Sequence, residues 1–213
     1  FITADELAWE SLSGNGCPWA RTPHLDALMG RGTTFDLSYC ADTSCSPSRS
    51  AWYTGRPPSE TGVVTNRHPM EPSVVDIGQW LTAQKGPEPH YIGKWHLRGR
   101  RCGESFEALY IAAPPGVLTD VATMRTTEGF LANRPTDSPW FLAVNLINPH
   151  DICYWLGRSA SDPEARELGL PEAALPAVPE NFAVDPDEPE LVRRTSRRRT
   201  NTPRWTPEKW RAY

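Results

Sequence analysis

An almost unbroken apolar run, WFLAVNLI at residues 140–147, constrains the fold more than any other segment of the chain. A run of this length without polar alternation predicts a strand buried on both faces, which is typical of a parallel sheet covered by helices. Two shorter apolar segments, at residues 1–4 and 90–92, predict further strands. Helical spacing or helix start signals occur in four segments between these strands, at residues 22–29, 46–53, 72–84 and 117–132.

The alternation of strands and helices predicts an α/β fold with a mostly parallel central sheet. Three side chains with useful chemistry, Asp5, Lys94 and His150, each follow the carboxyl end of a predicted strand. Open α/β sheets place their ligand crevice at that edge. We therefore expect these three side chains to meet at one site.

Charge and hydropathy bear mainly on the partners of the chain. The formal net charge of −4 gives no general attraction for nucleic acid or anionic membranes, and no apolar run is long enough to span a bilayer. Five arginines at residues 193–199 form a basic cluster, but an acidic stretch precedes them and no aromatic residue is interleaved. We interpret the cluster as a solvated loop, and we expect neither a nucleic-acid nor a membrane partner.

The segment CSPSRSAWYTG, at residues 45–55, has the features of an anion site. It places the thiol of Cys45 just before a predicted helix N-terminus, with Pro47 in the first turn and Arg49 one turn along. The helix dipole and the guanidinium both favour an anion at that position. Taken alone, the segment also fits an unreactive, partly buried cysteine, because reactivity requires a special environment.

This segment resembles the sulfatase signature C-x-P-S-R-x(4)-T-G at every fixed position, with Tyr53 where the family often has leucine. The resemblance implies a sulfuric ester hydrolase with an alkaline-phosphatase-like α/β/α sandwich. It also implies that a formylglycine-generating enzyme converts Cys45 to the aldehyde formylglycine, and that Arg49 is part of the catalytic site. In the family, one hydroxyl of the hydrated aldehyde attacks sulfur, and the other then loses its proton so that sulfate is expelled.

The tetrapeptide GKWH, at residues 93–96, resembles the second signature of the same family. Two residues that lie two apart after a strand project from one short turn toward the sheet edge. The resemblance implies that Lys94 holds sulfate oxygens and that His96 forms a hydrogen bond with the formylglycine diol.

The tetrapeptide NPHD, at residues 148–151, resembles a segment of many bacterial sulfatases. The resemblance makes His150 a candidate general acid toward the departing alcohol, or a direct contact of the sulfate group. Asp151 is then a candidate contact for the part of the substrate that does not react.

The acidic pair Asp5-Glu6 follows the first predicted strand, where sulfatases carry their first metal-binding carboxylate. The resemblance implies a divalent cation, with Ca²⁺ expected, bound by Asp5, Glu6 and the converted Cys45. Carboxylate oxygens suit a hard cation, which neutralises sulfate charge. Asp5 is the firmer assignment, because many family members have two adjacent aspartates here and this chain has one.

The resemblance covers residues 1–154, which we interpret as the N-terminal part of a catalytic domain. Residues 155–213 are rich in proline and charge and are expected to form loops that lead into a short helix from Thr206. No later acidic metal-binding segment follows Asp151, so we expect a fragment, incomplete at its C-terminus and inactive by itself. Family resemblance favours a periplasmic or secreted protein.

The expected substrate is a sulfated small molecule or glycan, either a carbohydrate or an aryl sulfate. Two other functions remain open at this point. One is hydrolysis of phosphonate or phosphate esters within the same superfamily, and the other is binding of sulfated ligands by a protein without catalytic activity.

Overall fold

A four-stranded sheet forms the centre of the computed structural model, which describes residues 1–134, 136–154, 177–178, 187 and 189–191. The strands are β1 (Ile2–Ala4), β2 (Glu88–Lys94), β3 (Glu107–Ala112) and β4 (Trp140–Leu146). Their order across the sheet is β1-β4-β2-β3, and every pairing is parallel. The predicted α/β fold is confirmed, and the apolar run lies inside the sheet as expected.

Five α-helices accompany these strands in the described residues: α1 (Pro23–Met29), α2 (Cys45–Thr54), α3 (Pro58–Thr61), α4 (Ile77–Ala83) and α5 (Gly116–Asn133). Three short 3-10 helices lie at Trp9–Ser11, Ser13–Asn15 and Cys102–Glu104. Within the part of the chain that the structure describes, no helix combines the length and the apolar character needed to cross a membrane.

All of these elements belong to one compact unit, Phe1–Asp151. A second unit, Ile152–Tyr213, is described only at residues 152–154, 177–178, 187 and 189–191. The predicted helix from Thr206 and the arginine cluster at residues 193–199 lie outside the described residues. The assignment of residues 1–154 and 155–213 to parts of one catalytic domain stays a prediction.

Alternate residues of the inner strands point to opposite faces of the sheet and divide the core into two layers. On one face, Tyr91 of β2 joins an aromatic cluster that includes Tyr53 of α2. On the other face, the next residue, Ile92, packs with Val144 of β4 and Phe130 of α5. Helices therefore cover both faces, which is the predicted α/β/α arrangement.

One local expectation from the sequence is wrong, and one strand was not anticipated. The helix predicted at residues 72–84 begins only at Ile77. The carboxylate of Asp76 accepts a hydrogen bond from the backbone N–H of Gln79 at 3.0 Å, and the side-chain oxygen of Gln79 accepts one from the backbone N–H of Asp76. This reciprocal capping box fixes the helix start. Strand β3, at the sheet edge, was not predicted, although residues 108–112 form the apolar run ALYIA.

A buried ion pair supports the start of α4. The Asp76 carboxylate accepts a hydrogen bond from Nη1 of Arg100 at 2.8 Å and another from the hydroxyl of Ser105. Nη2 of Arg100 donates to the carbonyl oxygen of Val74 at 2.6 Å. Both charged side chains are almost completely buried, so each depends on the other for its charge to be compensated.

Strand β4 lies directly against the backbone of β2 at Gly93. A Cβ atom at this position would lie 2.0 Å from the carbonyl oxygen of Asn145, and the φ angle of Gly93 is +103°. Both the close approach and the left-handed backbone require glycine. Gly93 thus allows β2 and β4 to stay in direct contact up to the last residues of β2.

Candidate active site

The N-terminus of α2 carries Cys45 as its first residue and is fastened to two loops. The backbone N–H of Ser46 donates to Oδ1 of Asn66 at 2.8 Å. The Ser46 hydroxyl donates to the carbonyl oxygen of His96 at 2.6 Å. The turn that follows β2 is therefore held directly against the helix end that presents Cys45.

Arg49 lies one helical turn after Cys45 and is completely buried. Its Nη1 donates to the carbonyl oxygen of Lys94 at 2.7 Å, and its Nη2 lies 3.8 Å from Oδ1 of Asp5. The Nζ atom of Lys94 donates to Oδ2 of the same carboxylate. Two cations from different elements thus converge on Asp5, which follows the end of β1.

This buried group, composed of Asp5, Arg49 and Lys94, contains two cationic side chains and one carboxylate. Buried charge is costly unless it is paired, so the group favours an additional anion nearby. Nε of Arg49 has no hydrogen-bond partner among the described residues, which leaves a buried guanidinium donor unused. The electrostatics suit an anionic ligand better than a cationic or neutral one.

His150 completes the convergence that the strand ends predict. Asp5, Cys45 and His150 each offer one ligand atom, and these atoms all lie within 4.8 Å of one another. They come from the end of β1, the start of α2 and the loop after β4. Together with Lys94 at the end of β2, they occupy the carboxyl edge of the parallel strands, where α/β proteins bind ligands.

The surroundings of Cys45 and His96 disfavour their charged forms. Desolvation and the charge of Asp5 raise the pKa of the Cys45 thiol above its ordinary value, although Lys94 and Arg49 act in the opposite direction. Desolvation, followed by the charges of Lys94 and Arg49, lowers the pKa of His96. The encoded thiol is therefore protonated at neutral pH and is a poor nucleophile, because only the thiolate reacts readily.

The donor atoms at this site fit a hard cation only in part. As encoded, Asp5, Cys45 and His150 supply oxygen, sulfur and nitrogen, whereas Ca²⁺ takes six to eight oxygen ligands. Conversion of Cys45 to formylglycine would replace the sulfur by oxygen. Glu6, which was predicted to bind the same cation, lies outside this group of three and has a left-handed backbone with φ of 64°. Its role as a ligand stays a prediction.

Asp151 has a structural partner that the sequence interpretation did not include. Its two carboxylate oxygens accept the backbone N–H groups of Gly116 at 2.9 Å and Val117 at 2.7 Å, at the start of α5. Asp151 therefore caps this helix. Its predicted contact with substrate stays a prediction.

Sequence reasoning missed Asn145, which is completely buried in β4. Its Oδ1 accepts hydrogen bonds from the hydroxyls of Thr3 at 2.8 Å and Tyr53 at 2.9 Å, and from Nη1 of Arg49 at 3.3 Å. Asn145 is the one polar residue within the apolar run, so a polar position in an otherwise buried strand was an available signal. Asn66, which binds the N-terminus of α2, left no comparable signal.

Comparison with known proteins agrees with the geometry. The sulfatase family model matches residues 1–167. The chain is 27% identical to a Delta 4,5-hexuronate-2-O-sulfatase of Bacteroides thetaiotaomicron over 230 residues, which include 100% of the chain and 47% of that relative. It is 36% identical to mouse N-acetylgalactosamine-6-sulfatase over 111 residues, which include 46% of the chain and 21% of the relative.

A solved structure gives the same result. The crystal structure of a protein assigned as a sulfatase from Bacteroides thetaiotaomicron superimposes with a TM-score of 0.83 at 27% identity, over 99% of this chain and 48% of that one. The chain thus spans about half the length of these Bacteroides relatives. Sulfatases in general use a metal ion and a formylglycine, and the cluster of Asp5, Cys45 and His150 is compatible with both. On the match over most of its length, the chain belongs to the sulfatase family.

Proposed function

We propose that the complete natural polypeptide hydrolyses sulfate esters, with a formylglycine derived from Cys45 as its nucleophile. One observation carries this proposal: Cys45 begins a helix at the carboxyl edge of the sheet, where Asp5, Arg49, Lys94 and His150 converge. Such a group can hold an anionic ester and place a nucleophile and a proton donor beside it.

The raised pKa of the Cys45 thiol supports conversion of this residue. A protonated, partly desolvated thiol cannot attack a sulfate ester efficiently, so the cysteine itself does not explain the assembled cations. A hydrated formylglycine would supply one hydroxyl to attack sulfur and a second whose deprotonation releases the sulfate. The maturation partner implied by this chemistry is a formylglycine-generating enzyme.

The remaining side chains have distinct roles in this proposal. Arg49 and Lys94 hold the sulfate oxygens and offset the negative charge that accumulates on them in the transition state. His96 provides a hydrogen bond to the nucleophile from the turn that Ser46 fastens. His150 donates a proton to the departing alcohol oxygen, which makes that oxygen a better leaving group.

We propose Ca²⁺ as the metal ion, held in part by Asp5, Glu6 and the converted Cys45. The oxygen donors of these groups support the assignment, since hard cations prefer carboxylate and hydroxyl oxygens. A bound cation would lower the negative charge of the ester and of the nucleophile. Metal analysis of the purified native protein by mass spectrometry tests the identity of the ion.

For the substrate, we propose a sulfated carbohydrate. The support comes from the named activities of two relatives, a hexuronate-2-O-sulfatase and an N-acetylgalactosamine-6-sulfatase. We also propose a periplasmic or secreted location, which the family membership favours and which fractionation of the native host with an antibody to the protein would test.

The decisive experiment combines mass spectrometry with hydrolysis assays on the complete polypeptide from its native host. The tryptic peptide of residues 32–49 contains both Cys40 and Cys45. We expect an aldehyde at Cys45 and an intact thiol at Cys40, together with release of sulfate from an aryl sulfate and from sulfated uronate or hexosamine.

Matched variants separate the two cysteines. Cys45→Ala should abolish hydrolysis, whereas Cys40→Ala should retain it, because Cys40 is exposed and lies outside the group of converging side chains. A thiol at both positions in active protein would refute the formylglycine. Faster hydrolysis of an aryl phosphonate than of an aryl sulfate would instead favour the related ester hydrolases.

A further inference from the structure

Two carboxylates join α5 to the loop that follows β4. Asp120, on α5, accepts the backbone N–H groups of Ile147 and Asn148, each at 2.8 Å. In the opposite direction, Asp151 of the loop accepts the backbone N–H groups of Gly116 and Val117 at the helix start. The four bonds form a reciprocal clamp, the Asp120–Asp151 clamp, and each uses a charged acceptor that strengthens it.

Within the clamp, the backbone of α5 at Gly116 packs closely against the loop that follows β4. A Cβ atom at Gly116 would lie 2.8 Å from Cβ of Ile147 and 3.0 Å from Nδ2 of Asn148. Ile147 is completely buried, and its carbonyl oxygen accepts the backbone N–H of His150 at 3.1 Å. The loop therefore rests directly on the first turn of α5 and has little freedom to shift.

His150 lies between the two ends that the clamp fixes. Asn148 is two residues before it and Asp151 is the next residue. Asn148 is attached to α5 through its backbone N–H, and Asp151 is attached through its carboxylate. The imidazole reaches the site from this loop, with one ring nitrogen within 4.8 Å of the ligand atoms of Asp5 and Cys45. Its position relative to Cys45 thus depends on contacts that the site itself does not contain.

We propose that Asp120 is a positioning residue for His150, acting through the Asp120–Asp151 clamp. The proposal rests on the proposed sulfatase function, in which the bond between sulfur and the ester oxygen breaks and its electron pair stays on that oxygen. The N–H of His150 donates its proton to this oxygen as the charge develops. Transfer requires a ring nitrogen within hydrogen-bond reach of the oxygen, and the loop backbone sets that distance.

An amide cannot replace the carboxylate of Asp120 in this clamp. Each of its two oxygens accepts one backbone N–H, whereas asparagine offers one oxygen and turns its own NH₂ group toward the second donor. One half-buried N–H of the loop would then lose its partner, and the segment before His150 would move. Displacement of a catalytic group by about 1 Å is enough to lower a rate about 100-fold.

The test compares Asp120→Asn with Glu128→Gln in the complete polypeptide. Glu128 lies on the same helix, but its carboxylate pairs with exposed Arg125 and does not contact the loop. The kcat is measured for an aryl sulfate with a good leaving group, 4-nitrophenol, and for a sulfated sugar, whose alcohol is a poor one. Loss of a general acid slows the second reaction far more than the first.

We expect Asp120→Asn to lower kcat about 100-fold on the sugar sulfate and less than about threefold on the nitrophenyl ester, with Glu128→Gln unchanged on both. Equal losses of Asp120→Asn on both substrates would overturn the positioning role, because a general structural defect does not depend on the leaving group. An unchanged kcat on the sugar sulfate would overturn it as well.

A second measurement separates this proposal from the proposed function. Absence of sulfate-ester hydrolysis in the wild type would refute the function, and the clamp is then judged by NMR. Asp120→Asn should speed hydrogen exchange at the Ile147 and Asn148 amides and shift or broaden the imidazole ¹⁵N signals of His150, whereas Glu128→Gln should do neither. Unaltered His150 signals in Asp120→Asn would overturn the proposal.

Discussion

Substitution of Arg100 by methionine gives the clearest expected loss of stability in this protein. The change keeps an apolar side chain of similar length but removes the guanidinium that compensates the fully buried Asp76 carboxylate. Asp76 would keep the N–H of Gln79 and the hydroxyl of Ser105 as donors, but no cation. Removal of one partner of a buried pair costs about 3–5 kcal/mol. This is a large share of the roughly 5–15 kcal/mol by which folded proteins are stable.

Equilibrium unfolding in urea, followed by tryptophan fluorescence, measures this loss. The next residue provides a matched control: Arg101 is also paired with a carboxylate, that of Glu104, but its side chain is 89% exposed. Arg101→Met should therefore leave the unfolding midpoint unchanged. The double variant Asp76→Asn and Arg100→Met should be more stable than Arg100→Met, since no uncompensated charge then remains buried. Equal midpoints for Arg100→Met and Arg101→Met would refute this reasoning.

Three further expectations follow from features of the fold and the site. Iodoacetamide at pH 8 should label exposed Cys40 but not Cys102, as measured by peptide mass spectrometry. Burial and the charge of Asp76 raise the pKa of Cys102 to about 12, so that about one in ten thousand of its thiols is ionised at this pH. Gly93→Ala should lower the melting temperature strongly, because its Cβ would clash with the backbone of Asn145, whereas Gly103→Ala should lower it only slightly, because a Cβ there meets no atom within 4 Å. Similar melting temperatures for the two variants would contradict the close approach of β2 and β4. Removal of metal by a chelator should abolish sulfate-ester hydrolysis, and added Ca²⁺ should restore it better than added Mg²⁺. Hydrolysis that survives chelation would argue against a required cation.

The sequence allowed much of the site to be anticipated because its chemistry is local. Cys45 and Arg49 lie one turn apart in a single helix, so their spacing alone brings them together. The meeting of Asp5 with Lys94 follows from topology, since carboxyl ends of parallel strands share one edge. The roles of these side chains in catalysis stay predictions.

Other features depend on contacts between distant segments and leave little trace in a single sequence. Asp120 looks like an ordinary polar residue of a helix, yet its carboxylate binds backbone groups of Ile147 and Asn148. The start of α4 was misplaced because the capping by Asp76 outweighed the apolar spacing before it. Strand β3 is an exception, because the apolar run ALYIA at residues 108–112 was an available signal that the sequence reasoning overlooked.

The position of β4 between β1 and β2 sets the order in which the site can assemble. Residues 2–4 pair with residues 144–146, so the first strand gains its sheet partner only after nearly the whole unit has been synthesised. Until then, Asp5 has no fixed position opposite Lys94, and Arg49 lacks the enclosure that buries it. Closure of so long a loop is slow compared with local helix formation. In a growing chain, the segment that contains Cys45 is therefore synthesised well before the charges around that residue are brought together.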